Sequence, residues 1–272
     1  MPASVILFPL FPFYAISSEN QITDILNCLL EQDKGDYPVD DSIDAFTIKL
    51  RFGDPGDTVK TGANYTGDFP YGKWTLITRG CICHGTGWNG DCLVTPSSAD
   101  MLKVHLVGLL KVLYSDILPF MHGLVLHASS LAMNDNAQVF TAPSGGGKST
   151  ISRLLPGKLI ADDFTPILFD TKGPMAVACP FVSWEKVRYQ QDKARLMAIN
   201  RVIQGKDWQI KSLDKGPAIT RILENTISFA SMSQVKQVIL DRAIDLAGMI
   251  PVRDLQFSLK TPSMEQISGF FN

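Results

Sequence analysis

The stretch that decides the fold is Val139–Phe164, which reads VFTAPSGGGKSTISRLLPGKLIADDF. An apolar run leads into a Gly-rich segment, and a short helical pattern begins at Lys148. A strand, a loop of this composition and a helix in that order form the context of a phosphate-binding loop. Ala142 stands where the usual pattern has its first glycine, and alanine is the smallest alternative. The stretch therefore predicts nucleotide binding.

Such a loop holds phosphate oxygens with its backbone N–H groups, aided by the positive end of the following helix. Its glycines permit positive φ angles and a close approach to phosphate. The lysine reaches the β- and γ-phosphates, and the next hydroxyl contacts Mg²⁺. We therefore predict ATP and Mg²⁺ as cofactors. The predicted nucleotide-binding residues are Ser144, Gly145, Gly146, Gly147, Lys148, Ser149 and Thr150.

A pair of aspartates, Asp162 and Asp163, follows closely behind the loop, in what reads as a strand. Neighbouring strand residues face opposite sides, so one carboxylate can face the phosphates while the other points elsewhere. A carboxylate near the γ-phosphate can bind Mg²⁺ or accept a proton from an attacking hydroxyl. The alternative is a strand-end pair that caps or forms a salt bridge. Upstream, His127 lies in an apolar run, where a single histidine is more typical of a satisfied core residue.

The stretch from Leu124 to Asp163 resembles the catalytic core of bacterial HPr kinase/phosphorylase and the wider group of HPr-kinase-like proteins. Those proteins have a histidine in a strand, a second strand, a Ser-Gly-x-Gly-Lys-Ser loop and a short helix leading to Ala-Asp-Asp, and the order here is the same. The resemblance implies a phosphoenolpyruvate-carboxykinase-like P-loop fold, which differs from the adenylate-kinase and Ras types.

The resemblance also implies the catalytic residues. Asp163 would take the proton from a substrate serine, and Asp162 would be its supporting neighbour. His127 would lie beside the transferred phosphate, and Lys148 would hold it. These four residues are the predicted catalytic group.

Magnesium ligands follow from the same resemblance. Ser149 and Asp162 would bind the ion together with a later carboxylate, for which Glu185 is the candidate. Lys186 and Arg188 are nearby cations that would touch phosphate or peptide.

Two departures from the family pattern concern the acceptor. The Gly/Arg-rich signature that follows the core in HPr kinases is missing, and Thr150 stands where an acidic residue often follows the loop serine. Both argue against HPr itself and against phosphorylase activity.

We expect a kinase acting on a serine of a peptide or small protein, such as the precursor of a ribosomally made peptide of the lasso type. The alternatives are a small-molecule hydroxyl kinase and a nucleotide-binding regulator without fast transfer. The resemblance also implies a homo-oligomer.

The predicted fold class is α/β: a P-loop domain of the phosphoenolpyruvate-carboxykinase type, preceded by a smaller, mainly β (α+β) domain. Residues 1–97 alternate turn signals with short β-type runs and form the candidate substrate-recognition domain. Residues 98–120 show helical apolar spacing and predict a connecting helix. Residues 121–272 form the catalytic domain, with helices predicted over 192–202, 216–229 and 232–248.

Composition narrows the class of protein. The chain has 272 residues, 45% apolar and 19% charged, with a formal net charge of −2, as in ordinary soluble proteins. The sequence contains no Lys/Arg-rich run, which would argue for nucleic acid, and no unbroken apolar run long enough to span a membrane. The apolar N-terminus contains prolines and reads as one or two strands, with a signal or anchor as the alternative.

The cysteine count bears on location and on metal binding. Five cysteines without a recognisable signal peptide predict reduced thiols and a cytoplasmic protein. Cys81, Cys83, His84 and Cys92 lie close together, but their spacing is not a standard zinc pattern and alternate strand residues face opposite sides. We expect an ordinary strand and turn there, with zinc as the alternative.

Overall fold

A computed structural model describes residues 4–8, 13–30, 45–133, 136–179, 192–259 and 263–271. The fold is mixed α/β, as predicted. The chain divides into two compact units. The first comprises Met1–Met121 with Ser228–Val238, and the second comprises His122–Ile227 with Ile239–Asn272. The segment predicted as a connecting helix, residues 98–120, belongs to the first unit by this division.

The first unit is built on a twisted sheet covered by helices. Its elements are β1 (Ser4–Phe8), β2 (Phe13–Ser17), α1 (Asn20–Leu30), β3 (Phe46–Phe52), β4 (Ala63–Gly67), β5 (Lys73–Thr78), β6 (Cys81–Thr86), β7 (Asn89–Val94), α2 (Ala99–Ile117) and a 3-10 turn (Leu118–Met121). The strand order is β1-β2-β3-β7-β6-β5-β4. The apolar N-terminus thus contributes two strands, as its sequence predicted.

Alternation of side chains gives this sheet one covered face. Along β5, Trp74, Leu76 and Thr78 are buried and the residues between them are not, the period of two expected of a half-buried strand. Helix α2 packs against β5, β6 and β7. Its predicted apolar positions, from Leu102 to Ile117, are buried, so α2 is a core helix of this unit.

Helix α2 also bears on the expectation of no membrane span. Of the described helices it alone, extended to Met121, is long and apolar enough to cross a membrane by length and composition, and 72% of that apolar window is buried inside the protein. Core helices of water-soluble proteins have the same composition when they are buried on most sides.

The second unit is also a sheet with helices. Its strands are β8 (Gly123–Leu126), β9 (Ala128–Met133), β10 (Asn136–Thr141), β11 (Lys158–Ala161), β12 (Thr165–Asp170), β13 (Gly173–Val177), β14 (Lys193–Gln204), β15 (Gln209–Ser212) and β16 (Val252–Phe257). Its helices are α3 (Lys148–Leu154), α4 (Lys215–Asn225), α6 (Met264–Phe271) and part of α5 (Ser233–Met249). The main strand order is β11-β9-β10-β14-β13-β12-β8, with β16 paired to β14 and β15.

The helix predicted over residues 192–202 is wrong, because this segment is the long strand β14. Its run of Ala, Leu and Met favours a helix locally. The strand pairs in parallel with β10 along one edge; along the other edge it pairs antiparallel with β13 and in parallel with β16. The pairing on both sides overrides local propensity. The two later helix predictions match α4 and α5, although α4 ends at Asn225.

Strand order brings distant segments to one edge of the second sheet. Strand β9 lies between β10 and β11, with Thr141 opposite Ala128 and Ala161 opposite Ser130. The residue before β9, the loop after β10 and the residues after β11 therefore emerge side by side. These three places hold His127, the Gly-rich loop and the paired aspartates.

Candidate active site

The Gly-rich loop has a backbone that requires glycine. Gly145 and Gly147 have φ angles of 74° and 103°, in the region that L-residues with side chains avoid. A Cβ on Gly146 would lie 2.8 Å from the Ala142 side chain and 2.9 Å from the Pro143 carbonyl oxygen. A Cβ on Gly147 would lie 2.9 Å from the Phe257 ring. The loop is thus packed tightly against its own strand and against β16.

Ala142, which departs from the usual loop pattern, has a structural role. Its side chain is buried in a cluster with Phe140, Ile151 and Phe257 beneath the loop. Its carbonyl oxygen accepts a hydrogen bond of 2.9 Å from Lys148 Nζ. The methyl group therefore fills space that a glycine would leave empty.

Lys148, the first residue of α3, is buried despite its charge. Besides Ala142, its ammonium contacts His127 Nε2 at 3.0 Å. Buried ammonium groups need such partners, because desolvation without them is costly. The loop lysine is therefore fixed between the loop backbone and the imidazole.

His127 is not inside a strand, although the family resemblance implies a histidine within one. It occupies a bend between β8 and β9, and its side chain is 40% exposed. Its backbone N–H donates a 2.7 Å hydrogen bond to the Asn225 carbonyl at the end of α4. The bend aims the imidazole toward the loop, so the interpretation as a satisfied core residue does not hold.

The paired aspartates also lie outside a strand, contrary to the sequence prediction. β11 ends at Ala161, and Asp162 and Asp163 form a bend before β12. Asp163 has a φ angle of 65°, a left-handed conformation that is uncommon for a residue other than glycine. Strand alternation therefore does not set the directions of the two carboxylates.

Asp163 faces the imidazole. Its Oδ1 lies 3.5 Å from His127 Nε2, and its side chain is 60% exposed. Asp162 is half-buried and has an interaction of its own. His127, Lys148 and Asp163 thus form one cluster at the mouth of the loop.

Beside the cluster, the loop opens into a pocket of about 670 Å³ within the second unit. Its lining residues are Thr141 to Gly146, Arg201 to Gln204, Arg221, Glu224 and Asn225. The pocket lies within the size range of small-molecule sites. The Thr141 hydroxyl and Arg221 Nε are buried there without a hydrogen-bond partner among the described residues.

The remaining predicted ligands are placed less fully. Ser149 and Thr150 are exposed in the first turn of α3, beside the loop. Glu185, Lys186 and Arg188 lie outside the described residues. Within the described part of the chain, no group of three His, Cys, Asp or Glu side chains could hold a metal ion by itself. A magnesium ion here would thus take its remaining ligands from phosphate, water or other oxygens, as this ion commonly does.

The cysteine cluster of the first unit is part of its core. Cys81, Cys83 and Cys92 are buried and free on the covered face of the sheet, whereas His84 is exposed on the other face. Burial raises the pKa of the Cys83 and Cys92 thiols. His84 points away from the three cysteines, and among the described residues they form no group of three or more His, Cys, Asp or Glu side chains placed to hold a metal ion.

The opposite face of the same sheet carries a concavity of about 500 Å³. One row across the strands, set by register, holds Lys49, Asp91, His84, Thr75 and Thr66. The Thr75 hydroxyl and His84 Nδ1 lie 3.0 Å apart. This polar face belongs to the region that the sequence marks as a candidate for substrate recognition.

The sequence predicted helix α4 but did not indicate that it contributes to the site. Arg221, Glu224 and Asn225 reach the site from a helix more than 70 residues beyond the loop. The polar face of that helix was the only signal, and an exposed polar face is common to most surface helices.

Comparisons with known proteins give little beyond this geometry. No family model matches the chain, and no curated protein sequence does so. A solved structure of the HPr(Ser) kinase/phosphatase from Coxiella burnetii aligns with 52% of this chain and 87% of that chain. The alignment has 11% sequence identity and a TM-score of 0.28, which is too low to support an assignment of fold or function. What the site can do thus rests on its own residues.

Proposed function

We propose that the second unit is an ATP- and Mg²⁺-dependent kinase that transfers the γ-phosphoryl group to a hydroxyl, in the manner of the HPr-kinase-like proteins that residues 124–163 resemble. The observation that carries this proposal is the contact of His127 with both Lys148 and Asp163 at the mouth of the Gly-rich loop. To bind a nucleotide, such a loop needs the lysine but neither the imidazole nor the carboxylate. Transfer to a hydroxyl also calls for a group that accepts the hydroxyl proton, and the Asp163 carboxylate, next to His127, can do this.

The loop fits a phosphate chain. Gly145, Gly146 and Gly147 leave a surface without side chains, at positions where a Cβ would be strained or would clash. Backbone N–H groups in such a turn form a concavity for anions. When bound, ATP supplies the phosphoryl group and Mg²⁺ spreads the charge that develops on its oxygens.

Each side chain then has a definable task. Lys148 holds the phosphate oxygens from its buried position, and the exposed Ser149 hydroxyl is available to Mg²⁺. Asp163 accepts the proton of the attacking hydroxyl, because a half-exposed carboxylate can reach an acceptor that enters from solvent. His127 fixes Lys148 through Nε2 and adjoins the carboxylate. Asp162 supports Asp163 and is a candidate Mg²⁺ ligand.

We further propose that the hydroxyl belongs to a serine of a peptide or small protein. Asp163 and His127 are 60% and 40% exposed, so the reacting groups lie open to a large acceptor. A small-molecule kinase more often encloses its acceptor in a closed pocket.

The proposal is tested with the purified chain, Mg²⁺ and γ-³²P-ATP, with a serine-containing peptide library and a panel of sugars and free amino acids as acceptors. We expect label in peptides. The Asp163→Asn variant should lose at least about 100-fold in transfer, the usual size of a general-base effect, and keep its affinity for ATP. The control is Asp57→Asn, at an exposed aspartate of the first unit.

Three results would redirect the proposal. Label only in the small molecules would replace the peptide acceptor by a sugar or amino acid. ATP binding without label in any acceptor would favour a nucleotide-binding regulator. A large loss of ATP affinity in Asp163→Asn would make the carboxylate a metal ligand instead of a base.

A further inference from the structure

Two arginines line the pocket beside the loop, and their surroundings differ. Arg201 makes a two-pronged ion pair with Asp254, with Nε–Oδ1 and Nη2–Oδ2 distances both of 2.7 Å. Both carboxylate oxygens are engaged, and the pair joins two neighbouring strands, β14 and β16. Arg201 is therefore committed to the fold.

Arg221 is much less engaged. Its Nη1 donates to Glu224 Oε2 at 2.6 Å, one turn along α4. Glu224 is 51% exposed, and ion pairs of this exposed kind add little stability. The Nε of Arg221 is buried without an acceptor among the described residues, which is unfavourable for a charged donor. This guanidinium has more donors than the described residues satisfy.

The helix that carries Arg221 is joined to the candidate catalytic group. The Arg221 carbonyl accepts a hydrogen bond of 2.8 Å from the Asn225 side chain, and the Asn225 carbonyl accepts the His127 N–H. Thr226 bridges Leu126, the residue before the histidine. Arg221 thus stands one helical turn from the residue that holds His127, on the wall of the pocket that contains Ser144 to Gly146.

We propose that Arg221, which lines the pocket beside the loop, is a binding residue for the terminal phosphoryl group of the nucleotide and a second cation that complements Lys148. This rests on the proposed function, since it assumes that the loop holds a nucleoside triphosphate. A guanidinium pairs with phosphate through two parallel N–H bonds, whereas an ammonium acts as a point charge. Lys148 reaches the phosphate chain from the loop, and Arg221 adds a directed contact that a diphosphate lacks.

Calorimetric titration with ADP and with the non-hydrolysable triphosphate AMP-PNP, both with Mg²⁺, tests this role. Arg221→Ala should weaken AMP-PNP binding by about 10- to 100-fold, the worth of a charged hydrogen bond, and change ADP binding by less than about threefold. Arg221→Lys should recover only part of the loss.

Two controls separate binding from structure. Arg242 forms the same i,i+3 ion pair with Asp245 on α5, so Arg242→Ala reports the effect of losing such a pair elsewhere. Glu224→Gln removes the partner of Arg221 and keeps the arginine, and it should bind AMP-PNP at least as tightly as the wild type.

The proposal is overturned if Arg221→Ala binds AMP-PNP normally, if it weakens ADP and AMP-PNP equally, or if Glu224→Gln reproduces its loss. These comparisons use binding alone. A wild-type protein that binds AMP-PNP but labels no acceptor would therefore remove the kinase proposal and leave the assignment of Arg221 open to the same test.

Discussion

His127 Nε2 lies 3.0 Å from Lys148 Nζ, within hydrogen-bonding distance. An ammonium only donates hydrogen bonds, so Nε2 can pair with Lys148 only as an acceptor. The same Nε2 is 3.5 Å from Asp163 Oδ1, a contact that becomes an ion pair only if Nε2 is protonated. The imidazole can satisfy the lysine or the carboxylate, but not both together.

This relationship predicts different effects of two amide substitutions at His127. Glutamine places an acceptor near the position of Nε2, whereas asparagine reaches only as far as Nδ1. We expect His127→Asn to lose at least about tenfold more transfer activity than His127→Gln, with nucleotide affinity nearly unchanged in both. Single-turnover transfer and calorimetric titration measure the two quantities. Equal activities in the two variants would mean that the contact of Nε2 with Lys148 is unimportant.

Alanine substitutions at two loop glycines are predicted to lower stability by different amounts. Gly145→Ala adds only the strain of a positive φ, since nothing lies within 4 Å of the new Cβ, and should cost about 1 kcal/mol in the free energy of unfolding. Gly147→Ala adds the same strain and a clash with the Phe257 ring at 2.9 Å. It should lower stability further and abolish AMP-PNP binding. Urea denaturation and titration measure both. If the Gly147→Ala protein were as stable as Gly145→Ala, the Phe257 ring on β16 would be able to move aside without a cost in stability.

Strain at Asp163 predicts a difference in stability between two inactive variants. Its φ of 65° suits glycine and is tolerated by Asp and Asn better than by alanine. Asp163→Gly should therefore be about 1 kcal/mol more stable than Asp163→Ala, although both should be inactive. Thermal and urea denaturation of the two variants provide the comparison. No difference between them would indicate that the bend relaxes when the carboxylate is removed.

A buried carboxylate in the first unit predicts how stability depends on pH. Asp116, near the end of α2, accepts hydrogen bonds at Oδ1 from the Ser228 hydroxyl and from the N–H groups of Phe229 and Ala230. Burial raises its pKa from the ordinary 3.8 to about 6, although these bonds lower it in part. Burial, and then the Asp116 charge, also raise the pKa of the Tyr65 phenol.

The direction in which stability changes with pH follows from the linkage between proton binding and folding. The folded state holds the Asp116 proton more tightly than the unfolded state, so the contribution of this group is fully present below pH 3.8 and is lost as pH rises to about 6. Asp116→Asn keeps an acceptor for all three donors and removes the charge. At pH 7.5 it should be more stable than the wild type by at most about 3 kcal/mol, and the difference should shrink toward pH 4.

Chemical denaturation at several pH values measures this difference, and Asp116→Ala is the control. That variant leaves the three donors without an acceptor and should be destabilised at every pH. A difference between Asp116→Asn and the wild type that does not vary with pH would show that the carboxylate is already ionised at pH 4.

The sequence by itself determined those features that depend on short-range chemistry. The glycines at 145–147 and the lysine that follows predict a phosphate loop, because only such spacing leaves backbone N–H groups open to an anion. The apolar period of residues 98–120 predicts a helix, because burial of one stripe needs that spacing. The paired aspartates were predicted as site residues because they are charged and follow the phosphate loop closely in the sequence.

Tertiary structure decided how the site residues contact one another and which further residues join them. His127 reaches Lys148 because β9 pairs between β10 and β11. Strands β9 and β10 are neighbours in sequence, but the pairing of β9 with β11 leaves no local signal. Pairing between strands distant in sequence likewise turned a helix-like segment into β14, since its Ala, Leu and Met residues are stabilised more by strand neighbours on both sides than by local turns. It also brought Arg221 to the pocket from a helix whose sequence shows only an ordinary polar face.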